Sequence, residues 1–177
     1  MSRIRITGGE WRSRLIQVAD APGLRPTPDR VRETLFNWLG QDLSGLSCLD
    51  LFAGSGILGF EAASRGADCV ALVERAKLPF DALKKHAEGF DCPRLELFCC
   101  DALKFTPPSG RRFDVLFLDP PYGQGWLDRI VCRLDDLAAP RARLYAEAEQ
   151  PLQRLGSWSV VKQGRAGQVF FHLLEQA

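Results

Sequence analysis

Long apolar runs are missing from this chain of 177 residues, and with them the means to cross a bilayer as a helix. The N-terminus has no signal-peptide core, so export is not expected. Histidine is scarce, with only His86 and His172, and the six cysteines (Cys48, Cys69, Cys92, Cys99, Cys100 and Cys132) contain no C-x-x-C spacing. A zinc site is therefore not expected. Four of the thiols fall in or beside apolar strands or a helix, as small buried thiols do, and all read as free cysteines of a reducing cytoplasm. The chain has no internal repeat and no low-complexity tract. Lysine is absent from residues 1–32.

What is present points to one domain with an ordinary core, since 46% of the residues are hydrophobic. The net charge of +1 hides an asymmetry. Residues 1–32 hold seven arginines (Arg3, Arg5, Arg12, Arg14, Arg25, Arg30 and Arg32) against Glu10, Asp20 and Asp29, a local balance of +4. The other 145 residues carry −3. Arginines near Trp11 suit bidentate phosphate contacts and base stacking, although short charged hairpins are also common on surfaces that bind nothing.

One stretch carries the chemistry. Val115-Leu116-Phe117-Leu118 has no polar residue and reads as a strand buried on both faces. It runs into Asp119-Pro120-Pro121-Tyr122, at the strand end where open α/β sheets place their ligand crevices. Proline fixes φ and lacks an N–H, so the Asp119 and Pro120 acceptors are held in a non-helical loop beside a flat ring. That set suits a planar group bearing an NH₂, such as a nucleobase edge. A strand end with a Pro-Pro turn and one exposed tyrosine is the plainer alternative.

A second stretch repeats the pattern. The apolar residues 46–52 end in Asp50-Leu51-Phe52, Ala53-Gly54-Ser55-Gly56 follows, and helical spacing runs from Ile57. Strand, glycine turn and helix together make a nucleotide-binding geometry. Gly54 to Gly59 also fits G-x-G-x-x-G, with Glu74 about 20 residues on as a ribose-binding acid. By that pattern alone a nicotinamide-dependent oxidoreductase is a fair reading. Two features oppose it. Asp50 can pair with the ammonium of an amino-acid-like ligand, and an acceptor loop at Asp119 has no role in hydride transfer.

Along the chain, residues 3–7 and 14–18 read as a β-hairpin around Gly8-Gly9, and Asp20 to Pro28 as a loop. Thr27 or Asp29 is expected to cap a helix striped by Val31, Leu35, Trp38 and Leu39. Strands are then expected over 46–52, 68–74, 94–100, 113–119, 141–147, 157–163 and 168–174, with helices over 56–65, 77–89 and 125–138. Gly164 to Gly167 reads as the last hairpin turn. Phe90 and Phe105 read as core, His86 as solvated, and His172 shows no partner. The fold class is α/β, a mostly parallel seven-stranded sheet with helices on both faces and an antiparallel C-terminal hairpin. Residues 1–45 form an N-terminal extension and 46–177 the core.

Asp50 to Gly56, Glu74 and Asp119 to Tyr122 together resemble the class I S-adenosylmethionine-dependent methyltransferases. Ile6 to Arg12, Gly23 to Thr27, Asp29 to Asn37 and Ala166 to Val169 further resemble the RsmD family, whose members methylate the N2 amine of one guanosine in bacterial 16S ribosomal RNA. The resemblance covers nearly the whole chain, and Cys99-Cys100 departs from a polar lead-in to Asp101. It implies a Rossmann-like fold, S-adenosylmethionine as cofactor and no metal. Asp50, Phe52, Gly54, Gly56, Glu74, Asp101, Ala102 and Thr27 would hold the cofactor, with Glu74 on the ribose hydroxyls and Asp101 and Ala102 on the adenine. Thr27 or Arg30 would meet the methionine carboxylate or the RNA backbone. Asp119, Pro120 and Tyr122 would hold the acceptor base, and Arg3, Arg5, Trp11, Arg12, Arg14, Arg25 and Arg30 the RNA. A cytoplasmic monomer acting on the 30S particle with its ribosomal proteins follows from the same resemblance. A DNA adenine-N6 methyltransferase shares the Asp-Pro-Pro-Tyr motif, and a non-enzymatic RNA-binding module would share the arginines.

Overall fold

The computed structural model describes residues 2–20, 22 and 24–177. Of the family-like segment 23–27, Gly23 lies outside the described residues, as does Ala21 in the same loop. The chain begins with a two-stranded antiparallel ribbon, β1 (Ser2–Arg5) and β2 (Leu15–Val18), then α1 (Asp29–Leu39). β3 (Ser47–Asp50), α2 (Ile57–Ser64), β4 (Cys69–Val73), α3 (Lys77–Phe90) and β5 (Leu95–Phe98) follow. After two 3₁₀ turns come β6 (Phe113–Leu118), α4 (Trp126–Leu137) and β7 (Ala138–Ala148). β8 (Arg154–Leu155), β9 (Trp158–Ala166) and β10 (Val169–Gln176) close the chain.

The main sheet has the order β5-β4-β3-β6-β7-β10-β9-β8. Pairings from β5 to β7 are parallel and those beyond β7 antiparallel. Strand periodicity sorts the side chains into two cores. Cys48, Val70, Leu72, Val115 and Phe117 face α1, α2, α3 and the ribbon, while Leu49, Ala71, Val73, Leu116 and Leu118 face α4. Helices therefore cover both faces, but unequally. Among the described residues no helix is long and apolar enough to cross a membrane.

Three local expectations are corrected. β8 makes the sheet eight-stranded; two residues are too few to leave a periodic signal, and they pair with β9 only through Arg154–Ser159 and Leu155–Trp158. The last hairpin turn is Gly167-Gln168 rather than 164–167, because Gly167 supplies the left-handed φ of +60° and Ala166 already pairs with Val169. Neither Thr27 nor Asp29 caps α1. Pro28 holds the cap position without a side-chain bond, Asp29 lies inside the first turn paired with Arg32, and Thr27 turns inward.

The ribbon's position matters for function. α2 starts at the glycine turn beyond β3 and ends at Ser64, whose backbone carbonyl accepts the Glu10 N–H at 2.8 Å and whose Oγ accepts the Trp11 N–H at 2.8 Å. The 8-residue helix is about 12 Å long, so the ribbon's turn caps the end remote from that glycine loop. Trp11 is buried and its ring stacks on Phe90 at 4.2 Å. Its expected role as a base-stacking platform is therefore corrected: the ring packs the ribbon onto α3. His86 joins the same contact, with Nε2 2.8 Å from the Gln17 carbonyl.

Candidate active site

Strand order reverses between β3 and β6, and open sheets bind ligands outside the carboxyl ends at such a switch point. Asp50 ends β3 and Asp119 follows β6. Two more acids mark neighbouring strand ends: Glu74 follows β4 and Glu147 lies near the end of β7.

The glycine loop and Glu74 are tied together. Glu74 Oε2 accepts the Gly54 N–H at 2.9 Å, and Oε1 accepts the Ala76 N–H at 2.8 Å. Gly56 opens α2 with φ +82°, and a Cβ there would meet Leu83 at 2.3 Å, so the turn requires glycine. Asp50 is buried and accepts the Phe52 N–H at 3.2 Å. Burial pushes its carboxyl up to about 7; the Phe52 N–H opposes this, while the charges of Glu74 and Glu147 add to it. Phe52 meets Trp126 edge-on at 5.3 Å.

Asp101 is a helix cap in the structure. Its Oδ1 accepts the Leu103 N–H at 2.8 Å at the start of the turn Ala102–Lys104, and its Oδ2 lies 3.8 Å from Arg75. Ala102 beside it is buried. Acceptors thus line three consecutive strand ends, β3, β4 and β5. That donor-seeking set fits a ligand offering an ammonium, ribose hydroxyls and an adenine amine.

On the other side of the switch point, Pro120 is buried and Tyr122 is 39% exposed. The Tyr122 hydroxyl is raised, first by burial and then by Glu147, Asp119 and Glu149, with Arg25 opposing. Arg25 therefore stands at the same mouth. Thr27 is buried, and its Oγ1 lies 3.3 Å from Glu147 Oε1 and 3.5 Å from Asp119 Oδ2. Its assignment to the cofactor is corrected accordingly. The single hydroxyl proton is directed at two acids, and the negative charge that the pair holds would repel a ligand carboxylate placed there. Among the described residues no three His, Cys, Asp or Glu side chains are grouped to hold a metal ion.

The arginines divide. Arg25 and Arg30 are exposed, on either side of Thr27. Arg3 and Arg5 are exposed on β1, with Arg5 3.7 Å from Asp29. Arg12 and Arg14 lie on the remote turn, where the Arg14 guanidinium covers the Phe90 ring at 4.1 Å and donates to the Gly89 carbonyl at 3.1 Å. Arg32, counted in the basic balance, is fully buried: it pairs with Glu61 and Asp29 and donates to the Thr27 carbonyl at 3.0 Å.

Sequence reading missed Glu147 and its neighbour Tyr145. The signal was there, since Leu144-Tyr145-Ala146-Glu147 repeats the apolar-strand-to-acid step that marks Asp50, Glu74 and Asp119. Of the cysteines only Cys48 is buried, and Cys99 and Cys132 are exposed. His172 does have partners, the Ala146 carbonyl at Nδ1 and the Leu152 N–H at Nε2.

Parallel strands, a glycine turn at the switch point, and acids at successive strand ends define a class I S-adenosylmethionine-dependent methyltransferase. The solved Escherichia coli protein yhhF superposes with a TM-score of 0.87 at 36% identity, covering 99% of this chain and 98% of that one. A solved Haemophilus influenzae chain gives 0.83 at 35%, covering 99% of each. The "Ribosomal RNA small subunit methyltransferase D" of Escherichia coli K12 is 39% identical over 98% of this chain and 90% of its own length. Its Haemophilus influenzae namesake is also 39% identical, over 97% and 93%. The model of the family described as conserved hypothetical protein 95 matches residues 4–175, and the chain belongs to that family, the RsmD methyltransferases.

Proposed function

We propose that the enzyme methylates the exocyclic N2 of one guanosine in small-subunit ribosomal RNA, acting in the cytoplasm as a monomer on an assembled or assembling 30S particle. The relatives' names supply the RNA. The observation that carries the base is the acceptor set beside the switch point: half-buried Asp119, the buried Pro120 and the half-exposed Tyr122 ring.

When bound, S-adenosylmethionine supplies a sulfonium methyl that is already a strong electrophile. Asp50 would pair with its ammonium, Glu74 would accept from its ribose hydroxyls, and Asp101 with Ala102 would meet its adenine. Phe52, Gly54 and Gly56 shape the space between them. What remains for the protein is alignment and charge. A guanine N2 lone pair is delocalised into the ring and attacks poorly. Asp119 and the Pro120 carbonyl accept its two N–H bonds, turn the lone pair out of conjugation and stabilise the charge that develops on nitrogen. Tyr122 stacks on the base, and Arg25 and Arg30 hold the adjoining phosphates.

Tritiated methyl transfer to 30S particles, naked 16S RNA and duplex DNA, followed by nucleoside analysis, tests the reading. N2-methylguanosine from the particle is the expected product. N6-methyladenine from DNA would overturn it in favour of the adenine chemistry that the same tetrapeptide serves.

A further inference from the structure

Glu147 takes no part in the contacts assigned above, yet it is the acid that faces Asp119. It is 5% exposed, on β7, the strand next to β6. Its Oε1 accepts the Tyr145 hydroxyl at 2.8 Å and lies 3.3 Å from Thr27 Oγ1. The same Thr27 oxygen is 3.5 Å from Asp119 Oδ2, so one hydroxyl bridges the two carboxyl groups, which follow the paired residues Leu118 and Ala146 of β6 and β7. Two carboxyl groups that share one hydroxyl proton, with no lysine or arginine at ion-pair distance among the described residues, keep a proton between them.

The surrounding donors decide which of them carries it. Glu147 collects the Tyr145 hydroxyl and the nearer approach of Thr27. Asp119 has only the longer Thr27 contact. Burial first, then Glu147, then Asp50, hold the Asp119 carboxyl well above the usual carboxylate range, with Thr27 opposing. The groups facing the pair are Asp50 from β3, Tyr145 from β7, Thr27 from the loop before α1, and Tyr122 beyond β6, with Glu149 and Arg25 beside it. Asp119 therefore carries the shared proton, while its other oxygen, a carbonyl, still accepts from an amine.

We propose that Asp119 and Glu147 form a one-proton relay, in which Asp119 faces the acceptor amine and takes its proton while Glu147, the positioning residue, takes the proton that Asp119 gives up. The proposal rests on the function given above. As the N–C bond forms, the C–S bond breaks and its electron pair passes to sulfur. The methylated nitrogen, now positive, gives one proton to the free oxygen of Asp119 while the proton already on Asp119 moves to Glu147. The pair goes from one negative charge to none, and returns the proton to solvent water after the product leaves.

Carbon-13 carboxyl NMR of the full chain, labelled at Asp and Glu and free of RNA, tests the pair directly. The Asp119 carbon, assigned with Asp119→Asn, should titrate well above the ordinary range and move down by about one pH unit or more in Glu147→Gln. Unchanged titration in that variant overturns the proposal. If Glu147→Gln does not fold, the wild-type spectra decide: Asp119 and Glu147 must titrate in two linked steps, and independent titrations overturn the relay. In single-turnover methylation Glu147→Gln should lose about 10²-fold in rate, with an acid limb displaced from the wild-type position, unchanged cofactor affinity and partial recovery in Glu147→Asp. A wild-type enzyme that forms no N2-methylguanosine would sink the functional reading, while the titrations still judge the pair.

Discussion

Two clusters meet at Thr27, one built on the single buried acid Glu61 and the other on three acids at the strand ends, and they are handled in opposite ways. Glu61, in the middle of α2, has salt bridges to Arg32 and Arg65, and its Oε1 also accepts the Thr7 N–H at 2.7 Å and the Thr7 hydroxyl at 2.9 Å. Asp50, Asp119 and Glu147 have no lysine or arginine within ion-pair distance among the described residues. They have only the hydroxyls of Thr27 and Tyr145 and the Phe52 N–H among the described residues. The first group is complete and ties α1, α2 and the ribbon into one body. The second is left short of positive charge at the mouth of the crevice, a state that an incoming ammonium and an incoming amine both relieve. Thr27 joins the two, since its carbonyl takes Arg32 and its hydroxyl faces Asp119 and Glu147.

Substitution should separate the groups sharply. Glu61→Ala strands two buried guanidinium groups and should cost about 3–5 kcal/mol of stability, read from urea unfolding. A loss below about 1 kcal/mol would put the cluster on a par with a surface pair. Asp119→Ala instead removes the acceptor that faces the amine as charge develops on nitrogen; it should remain folded, keep cofactor affinity and lose about 10²–10³ in turnover. Near-normal turnover would reduce the Asp119 loop to a structural turn.

How far the sequence revealed these two groups differs for a physical reason. Asp50, Glu74 and Asp119 were readable because each breaks an apolar strand at its carboxyl end, a local pattern. Glu147 carries that pattern too, but its importance comes from facing Asp119 across neighbouring strands, which no local window contains. Arg32 was counted in the basic balance of the first 32 residues and Trp11 was read as an RNA contact, yet both are buried. Their partners, Glu61 and Phe90, lie 29 and 79 residues away in sequence, and burial of that kind is decided by tertiary packing. The mostly parallel sheet with helices on both faces followed from alternating β and α segments, whereas the two-residue β8 left nothing to read.

The charge deficit of the second group should show as a pH dependence. The Asp50 carboxyl is raised from 3.8 to about 7 in the folded chain. In the free enzyme its contribution to stability is therefore fully present below the ordinary value and is lost as pH rises through about 7. A cofactor ammonium needs the anion, so its affinity should fall by up to about tenfold per pH unit below that point. At pH 7 binding should release about half a proton, measured by calorimetry in buffers of different ionisation enthalpy. Affinity that stays flat between about pH 6 and about pH 8 would remove Asp50 from the ammonium site.

The smallest effect concerns two pairs of exposed arginines, Arg25 and Arg30 flanking Thr27 in sequence and Arg12 and Arg14 on the ribbon turn beside the end of α2. If RNA is gripped where its base enters, Arg25 and Arg30 contribute full phosphate contacts, and each should account for ~0.7 units of the slope of log affinity against log salt. Arg12 and Arg14 lie at the remote turn, and the Arg14 guanidinium is already held over Phe90 and by Gly89. A double Arg25→Gln, Arg30→Gln variant should therefore flatten the slope by ~1.4, and a double Arg12→Gln, Arg14→Gln variant by no more than ~0.7. Filter-binding titrations with 30S particles across a range of salt would measure both. The reverse order would make the ribbon turn the principal anchor, with the RNA running the length of α2 and the carboxylate mouth reading only the base.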